Sequence, residues 1–444
     1  MTRPLVIVES PAKAKTIGRF LGSGYDVRAS VGHVADLPSK GLAVDVDNGF
    51  KADYELTTRG REVVKDLRAA LKEASELYLA TDEDREGEAI SFHLLEYLKP
   101  KVPVQRMVFH EITKSAIDHA IANPRGLDYA LVDAADTRRI VDRLYGYEVS
   151  PVLWRRINRG LSAGRVQSPS VRLIVDRERE RIAFVPAGYW DLEAGFATSP
   201  SFLATLVGVD GTRVATGKDF GSDGRAGANV VVLDEPAARG LADDLAGATF
   251  TVRSVDEKDY RSGPRAPFMT STLQQEAGRK FRLSASQVMR VAQGLYERGY
   301  ITYMRTDSTA LSDTAIAAAR SQVAQLFGQQ YLPQAPRRWE GKVKNAQEAH
   351  EAIRPAGDTF RTPAEVRAEL NDLEHKVYEL VWMRTLASQM ADATGVTVSV
   401  RLAANSTDRS TGELTDCEFA ASGTTITFPG YRAVYVASRE ETGD

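Results

Sequence analysis

With 444 residues, 43% of them hydrophobic and 26% charged, and a formal net charge of −3, the chain is too long for one ordinary core and has the composition of a soluble globular protein of roughly three domains. Its single cysteine, Cys417, excludes an internal disulfide and a multi-cysteine zinc site, which fits a reducing compartment. Neither a signal-type N-terminus nor an apolar run of about 18 residues occurs, so no membrane partner is expected and the cytoplasm is the expected location.

Residues 1 to 150 alternate between strand-like and helix-like patterns, as in a mostly parallel sheet covered by helices. LVIV (5–8) is a short β-branched run, AKAKTIGRFLG (12–22) is helical and closes in glycine, and YDVRASVG (25–32) is extended. An irregular excursion over 37–55 precedes an amphipathic helix, TRGREVVKDLRAALKEAS (58–75), and a strand, ELYLAT (76–81). Glu9 ends the first of these strands, and Asp82, Asp84 and Glu86 follow the last. Both strand ends would lie at the carboxyl edge of the sheet, where open α/β folds place ligands. Four carboxylates meeting there repel unless a hard cation neutralises them, Mg²⁺ first, with Mn²⁺ or Ca²⁺ as substitutes. The run DEDREGE equally suits a helix N-terminus enriched in acids. Lys13 and Lys15, just after Glu9, suit a phosphate. No GxxxxGK[ST] occurs, so ATP-driven work is not indicated.

Residues 151–188 read as a helical segment. Eight arginines stand against three acids between Arg155 and Arg181, a net of +5, although DRERERIAF within it is an ordinary solvated helix face. Short β-type runs (FLATLVGV, VVVL, TFTVRSV) fill 189–262 and return over 393–444. Residues 263–392 are helical, with Ser284 as a plausible N-cap and a stop at Gly299, so a helical domain is inserted into a β-rich one. Within it YITYMRTDST (300–309) reads as one extended segment that places Ile301, Tyr303 and Arg305 on one side. A packing tyrosine and a nucleophile both satisfy that pattern.

Seven stretches then occur in order: VIVESPAKAKTIGRFLG, SVGHVADLP, YLATDEDREGEAI, FHEITKSAI, GLSAGRVQSPSVRLIVDRE, GYITYMRTDST and EAHEAIRP. Together they closely resemble the bacterial type IA DNA topoisomerases, in the topoisomerase I (omega protein) branch. The resemblance implies a multidomain α/β plus α plus β chain: a Toprim α/β domain, helical DNA-binding segments, and a helical domain carrying the tyrosine inserted into a β-rich domain, all part of a toroid. It implies Tyr303 as nucleophile, with Arg305, Glu9, Lys13 and His350 beside it, and Glu9, Asp82, Asp84 and Glu86 as the metal-site acids. His33, Arg138, Arg139, Asp142, Tyr147 and Trp154, with the loop Ser162, Ala163, Gly164, Arg165, Val166 and Gln167, match DNA-contacting positions.

These assignments agree with what the residues can do. Arg138 and Asp142 are i, i+4 neighbours, so the carboxylate could hold that guanidinium, and Tyr147 and Trp154 offer rings for stacking on bases. The expected reaction is ATP-independent cleavage and rejoining of one DNA strand through a 5′-phosphotyrosyl link, relaxing negative supercoils. Its expected substrate is a single-stranded region of negatively supercoiled duplex, and the protein is expected to be a nucleoid-associated monomer. Arg305 and Lys13 are expected to favour the phenolate, and Glu9 either exchanges a proton with the 3′-oxygen or ligates the ion. The family core continues past residue 444, so a truncated core is expected. A Toprim-type Mg²⁺-dependent nuclease or primase, and an inactive single-strand DNA-binding fragment, are the alternatives.

Overall fold

The computed structural model of the chain describes residues 2–339, 351–407, 412 and 414–436. The chain forms two compact units, one from Met1–Arg165, Pro264–Ala391 and Tyr431–Asp444, the other from Val166–Gly263 and Asp392–Gly430.

The first unit opens with β1 (Arg3–Val8), α1 (Pro11–Leu21) and β2 (Asp26–Ala29), followed by α2 (Thr58–Leu71), β3 (Ala74–Leu79), α3 (Arg85–Leu98) and β4 (Val104–Arg106). The four strands form one parallel sheet in the order β2-β1-β3-β4. Helices begin where side chains can satisfy their free N–H groups: Ser10 caps α1, Thr57 caps α2, and Asp84 caps α3 by accepting from Gly87 N at 2.8 Å. Because successive strand residues point to opposite faces, β1 feeds two cores. Leu5 and Ile7 pack with Val64, Leu67 and Leu94, whereas Val6 and Val8 join a larger cluster on the other face.

After α4 (Lys114–Ala122) comes the 28-residue helix α5 (Tyr129–Arg156), which contains Pro151 and runs straight across the boundary expected at 150. The region 263–392 supplies α8 (Thr270–Phe281), α9 (Ala285–Glu297), α10 (Asp313–Leu326), the short α11 (Pro363–Val366) and α12 (Asp372–Ser388), with Ser284 closing a capping box on α9. These helices bury Leu273, Val288, Leu295, Tyr296 and Leu386 in the same cluster as Val6, Val8 and Ile17. The sheet and the tyrosine-bearing helices thus share one core rather than forming separate bodies.

Two expectations about backbone change here. The excursion 37–55 carries small ladders, Ala35–Asp36 with Glu55–Leu56 and Val44–Asp45 with Lys51–Ala52. The segment 300–309 is not a ladder strand: Ile301 makes an isolated bridge to Pro355, and Thr302 and Met304 are as buried as Tyr303. Alternation fails because protein covers the segment on both sides.

The second unit is built on an antiparallel sheet. It holds α6 (Gln167–Ala183), β5 (Glu193–Phe196), β6 (Phe202–Val209), β7 (Thr212–Arg213), α7 (Glu235–Leu245), β8 (Thr251–Ser262), β9 (Ala393–Thr407) and β10 (Leu414–Phe428). The sheet order is β7-β6-β10-β9-β8, with β5 beside β6. VVVL (230–233) forms no strand and contributes only the bridge Val214–Val231. Along α6 the charges pair locally, Arg172 with Asp176 at 2.6 Å and Arg177 with Glu180 at 2.7 Å.

Candidate catalytic site

The sheet order makes β1 and β3 neighbours, so the residues that follow them meet at the carboxyl edge. Glu9 Oε2 accepts the backbone N–H of Asp82 at 2.7 Å. Lys13, in the first turn of α1 and only 1% exposed, places its ammonium between Glu9 and Asp82 and bonds to both. The Tyr296 hydroxyl donates to Asp82 Oδ1 at 3.0 Å, and the Lys13 ammonium stands 4.8 Å from the centre of the same ring. Burial, then the Asp82 charge, push the Glu9 carboxyl up to about 8. Burial also opposes ionisation of Asp82, but Lys13 and hydrogen bonds from its neighbours outweigh it and hold that carboxyl below its ordinary value. Between the two acids, the surroundings favour the proton on Glu9 and the charge on Asp82.

Tyr303 closes this edge from the other side. Its backbone N–H donates to His110 O at 2.8 Å, and its hydroxyl donates to Asp84 Oδ2 at 2.5 Å. Its ring meets Tyr296 edge-on at 5.2 Å. Arg305 reaches Glu86 at 2.8 Å and Asp84 at 3.7 Å. Burial, followed by the Asp82 and Asp84 charges, raises the Tyr303 phenol well above its ordinary range. The Arg305 charge favours the phenolate as expected, but burial and the two acids outweigh it, while Lys13 is matched to Glu9 and Asp82.

The four acids are carboxylate donors of the type a hard divalent ion takes. They do not converge as a bare cluster, however. Among the described residues no three His, Cys, Asp or Glu side chains gather closely enough to hold a metal ion; Lys13 and Arg305 pair with the acids instead. The turn between β3 and α3 is itself tight: a Cβ at Gly87 would lie 2.1 Å from Asp82 O, so only glycine fits there. His350 lies outside the described residues. Its neighbour Glu351 sits 3.5 Å from His110 and is also bonded to Arg354.

Three cavities with shared walls lead from Arg305 along α5. The first, about 360 Å³, runs from Arg305 and Asp307 to Asp84, Glu86 and Arg138. The second, about 410 Å³, shares Arg85, Glu86 and Arg138 with it and adds His33, Tyr54, His93 and Arg139. The third, about 620 Å³, shares Arg139 and Asp142 with the second and ends on Tyr147, Trp154, Ser162 and Ala163. Arg139 donates to Asp36 at 3.0 Å. Asp142 pairs with Arg165 at 2.7 Å rather than holding Arg138, because the loop after α5 folds back along the helix. That loop is anchored by Ala163 N to Ser150 Oγ at 3.0 Å and by Trp154 Nε1 to Leu161 O at 2.6 Å. Gly164 belongs to the same unit, whereas Val166 and Gln167 begin the second unit.

Sequence reasoning missed Tyr296, which the buried face of α9 delivers with Val288, Ala292 and Leu295. A helical apolar stripe signals core, and nothing in it marks a hydroxyl aimed at Asp82. His93 was missed too. It is 4% exposed, neither ring nitrogen has a partner, and burial followed by nearby His33 pushes the imidazole down to about 4.

The parallel sheet and its acidic carboxyl edge lie within a Toprim-type domain. The Toprim domain profile matches residues 4–112, and the profile described as DNA topoisomerase matches residues 126–444. The chain is 58% identical to DNA topoisomerase 1 of Streptomyces coelicolor, over 99% of this chain and 48% of that protein. It is 54% identical to DNA topoisomerase 1 of Mycobacterium tuberculosis H37Rv, over 99% of this chain and 49% of that one. The structure of full-length topoisomerase I from Thermotoga maritima superposes with a TM-score of 0.78 at 36% identity, covering 97% of this chain and 67% of that one. The chain belongs to the DNA topoisomerase family, in its bacterial type IA branch. It spans about half the length of the curated relatives it matches. Among the described residues no helix is long and apolar enough to cross a membrane.

Proposed function

We propose that this chain carries the strand-transfer centre of an ATP-independent type IA DNA topoisomerase that relaxes negative supercoils. The observation that carries the reading is the 2.5 Å contact between the Tyr303 hydroxyl and Asp84, with Lys13 and Arg305 on either side. A single DNA strand lies in the linked cavities, with Arg138, Arg139 and His33 along its backbone and Tyr147 and Trp154 against its bases. A phosphodiester enters between Tyr303 and Lys13. The phenol passes its proton to Asp84 as its oxygen bonds to phosphorus, and the bond from phosphorus to the 3′-oxygen breaks. Glu9, which keeps its proton up to about 8, supplies that proton to the leaving oxygen. Lys13 and Arg305 move from their carboxylate partners toward the charge that develops on the phosphoryl oxygens. Rejoining is the reverse.

Asp82, Asp84 and Glu86, which do not form a closed ligand set in this arrangement, would hold Mg²⁺, or Mn²⁺ or Ca²⁺ in its place, only once drawn together as Lys13 and Arg305 turn to the phosphate, and the ion would add positive charge there. The protein would act as a monomer on single-stranded regions of underwound DNA in the cytoplasm.

The test is to mix the chain with divalent ion and labelled single-stranded DNA, then denature. A covalent adduct that disappears in Tyr303→Phe supports the reading. Free cut or extended product would indicate the nuclease or primase chemistry, and unchanged DNA a binding fragment only.

A further inference from the structure

Tyr303 reaches the acidic edge on a short backbone segment that is held by two other stretches of chain. From the first, His110 O accepts the Tyr303 N–H at 2.8 Å. In the second, Arg354 O accepts the Thr302 N–H, and the Ala356 N–H donates to Tyr300 O, both at 2.9 Å. The Thr302 hydroxyl donates to Ala352 O at 2.8 Å and accepts the Arg354 N–H at 3.0 Å. A buried ion pair joins these two stretches. Arg354, 3% exposed, donates from Nη1 to Glu111 Oε2 at 2.8 Å and to Pro355 O at 2.9 Å, and from Nη2 to Glu351 Oε2 at 2.5 Å. Glu111, 7% exposed, accepts the Gly357 N–H on the same oxygen at 3.0 Å. Its Oε1 accepts the hydroxyl of Thr113, the N-cap of α4, at 3.2 Å.

These bonds close a ring around the segment. Glu111 directly follows the carbonyl that holds Tyr303, and Arg354 is the residue whose backbone holds Thr302, so their contact fixes the spacing of the two stretches that grip residues 302 and 303. Neither side chain is used in the steps above. Packing alone does not call for charges here, because apolar groups of similar volume in place of a buried pair often leave stability unchanged or raise it. A guanidinium adds what they cannot: its planar donors are rigidly splayed and reach Glu111, Glu351 and Pro355 at once. The Tyr303 hydroxyl, 2.5 Å from Asp84, takes its place from that register through its own backbone.

We propose that Glu111 and Arg354 are the positioning pair of the nucleophile segment, setting where the Tyr303 hydroxyl meets the phosphodiester. The inference rests on the strand-transfer reading. Glu111→Gln keeps an acceptor of the same shape and removes the charge that holds Arg354. With labelled single-stranded DNA at saturation, its rate of adduct formation falls roughly 100-fold, the order expected for a displacement of about 1 Å. Rejoining slows by the same factor, because both directions cross one transition state, so the fraction of DNA held as adduct at equilibrium stays within about twofold. The oligonucleotide Kd, read by fluorescence anisotropy, also stays within about twofold, because the loss lies in the step after binding.

Unchanged rates, a smaller yield of adduct at an unchanged rate, or slower rejoining alone would overturn the proposal. The second result marks a misfolded fraction, and the third a clasp between the two stretches rather than a guide for the nucleophile. If Glu111→Gln does not fold, Glu111→Leu combined with Arg354→Met decides, because it replaces the whole pair by apolar groups. Cleavage and rejoining slowed by one factor uphold the pair, and wild-type rates refute it. A wild-type chain that forms no adduct would sink the strand-transfer reading instead. Hydrogen exchange at the Thr302 and Tyr303 amides would then still judge the pair: quicker exchange in the variant upholds its hold on the segment, and unchanged exchange refutes it.

Discussion

The acidic edge and the groove along α5 adjoin, yet they are built on opposite physical terms. At the edge, Lys13 and Tyr303 are 1% and 2% exposed, and the Lys13 ammonium is matched to Glu9 and Asp82 inside the protein. Along the groove, Tyr147 and Trp154 are 40% and 47% exposed, and Arg139 and Arg165 pair with Asp36 and Asp142 within reach of solvent. Buried charges shift one another's proton affinities strongly, whereas exposed pairs are screened by water and salt. On the proposed reading, the edge carries the chemistry and the groove the grip on DNA.

Breaking the edge should have the largest effect. Lys13→Ala leaves Glu9 and Asp82 facing each other without their cation, so denaturant unfolding should show a loss of roughly 3–5 kcal/mol. A loss below about 1 kcal/mol, the scale of an exposed pair, would mean that the edge is far more hydrated than its burial implies. In the groove, Trp154→Ala should weaken binding of a single-stranded oligonucleotide by about 1–3 kcal/mol, the worth of one stacked base. Its thermal unfolding should barely move. Loss of stability without loss of affinity would make Trp154 a packing residue.

The smallest effect sharpens the boundary between the two regions. His93 lines the middle cavity, and its folded value of about 4 lies below the 6.5 of a free imidazole. The sign follows from that order. The stabilising contribution of the neutral ring is complete above 6.5 and is lost as pH falls toward 4, because the unfolded chain takes up the proton first. His93→Phe should flatten this acid-side decline. It should also be no less stable at neutral pH, since it removes two buried nitrogens that have no partners. Parallel pH curves for the two proteins would show that His93 is hydrated.

What could be read from the sequence follows the range of each interaction. The alternation of LVIV and ELYLAT with helices indicates a parallel sheet, and strand ends at its carboxyl edge bring Glu9 and Asp82 together. Asp84 as the N-cap of α3 and Ser284 as that of α9 are local events that neighbouring residues decide. The placement of Lys13 between two acids, the Tyr296 hydroxyl on Asp82 and the reach of Arg106 to Glu88 depend on side chains meeting across the fold, and no spacing encodes them. The same limit explains Asp142. Helical spacing offers it Arg138, and the returning loop supplies Arg165 instead.

The account turns on which oxygen of the DNA backbone Tyr303 displaces. Single-stranded DNA labelled at either end, incubated with the chain and divalent ion and then denatured, answers this in one gel, with peptide mapping to locate the adduct. A 5′-phosphotyrosyl link at Tyr303 predicts that the 3′-end label stays with the protein while the 5′-labelled piece leaves with a free 3′-hydroxyl. Retention of the 5′-end label, or attachment at any residue other than Tyr303, would contradict it.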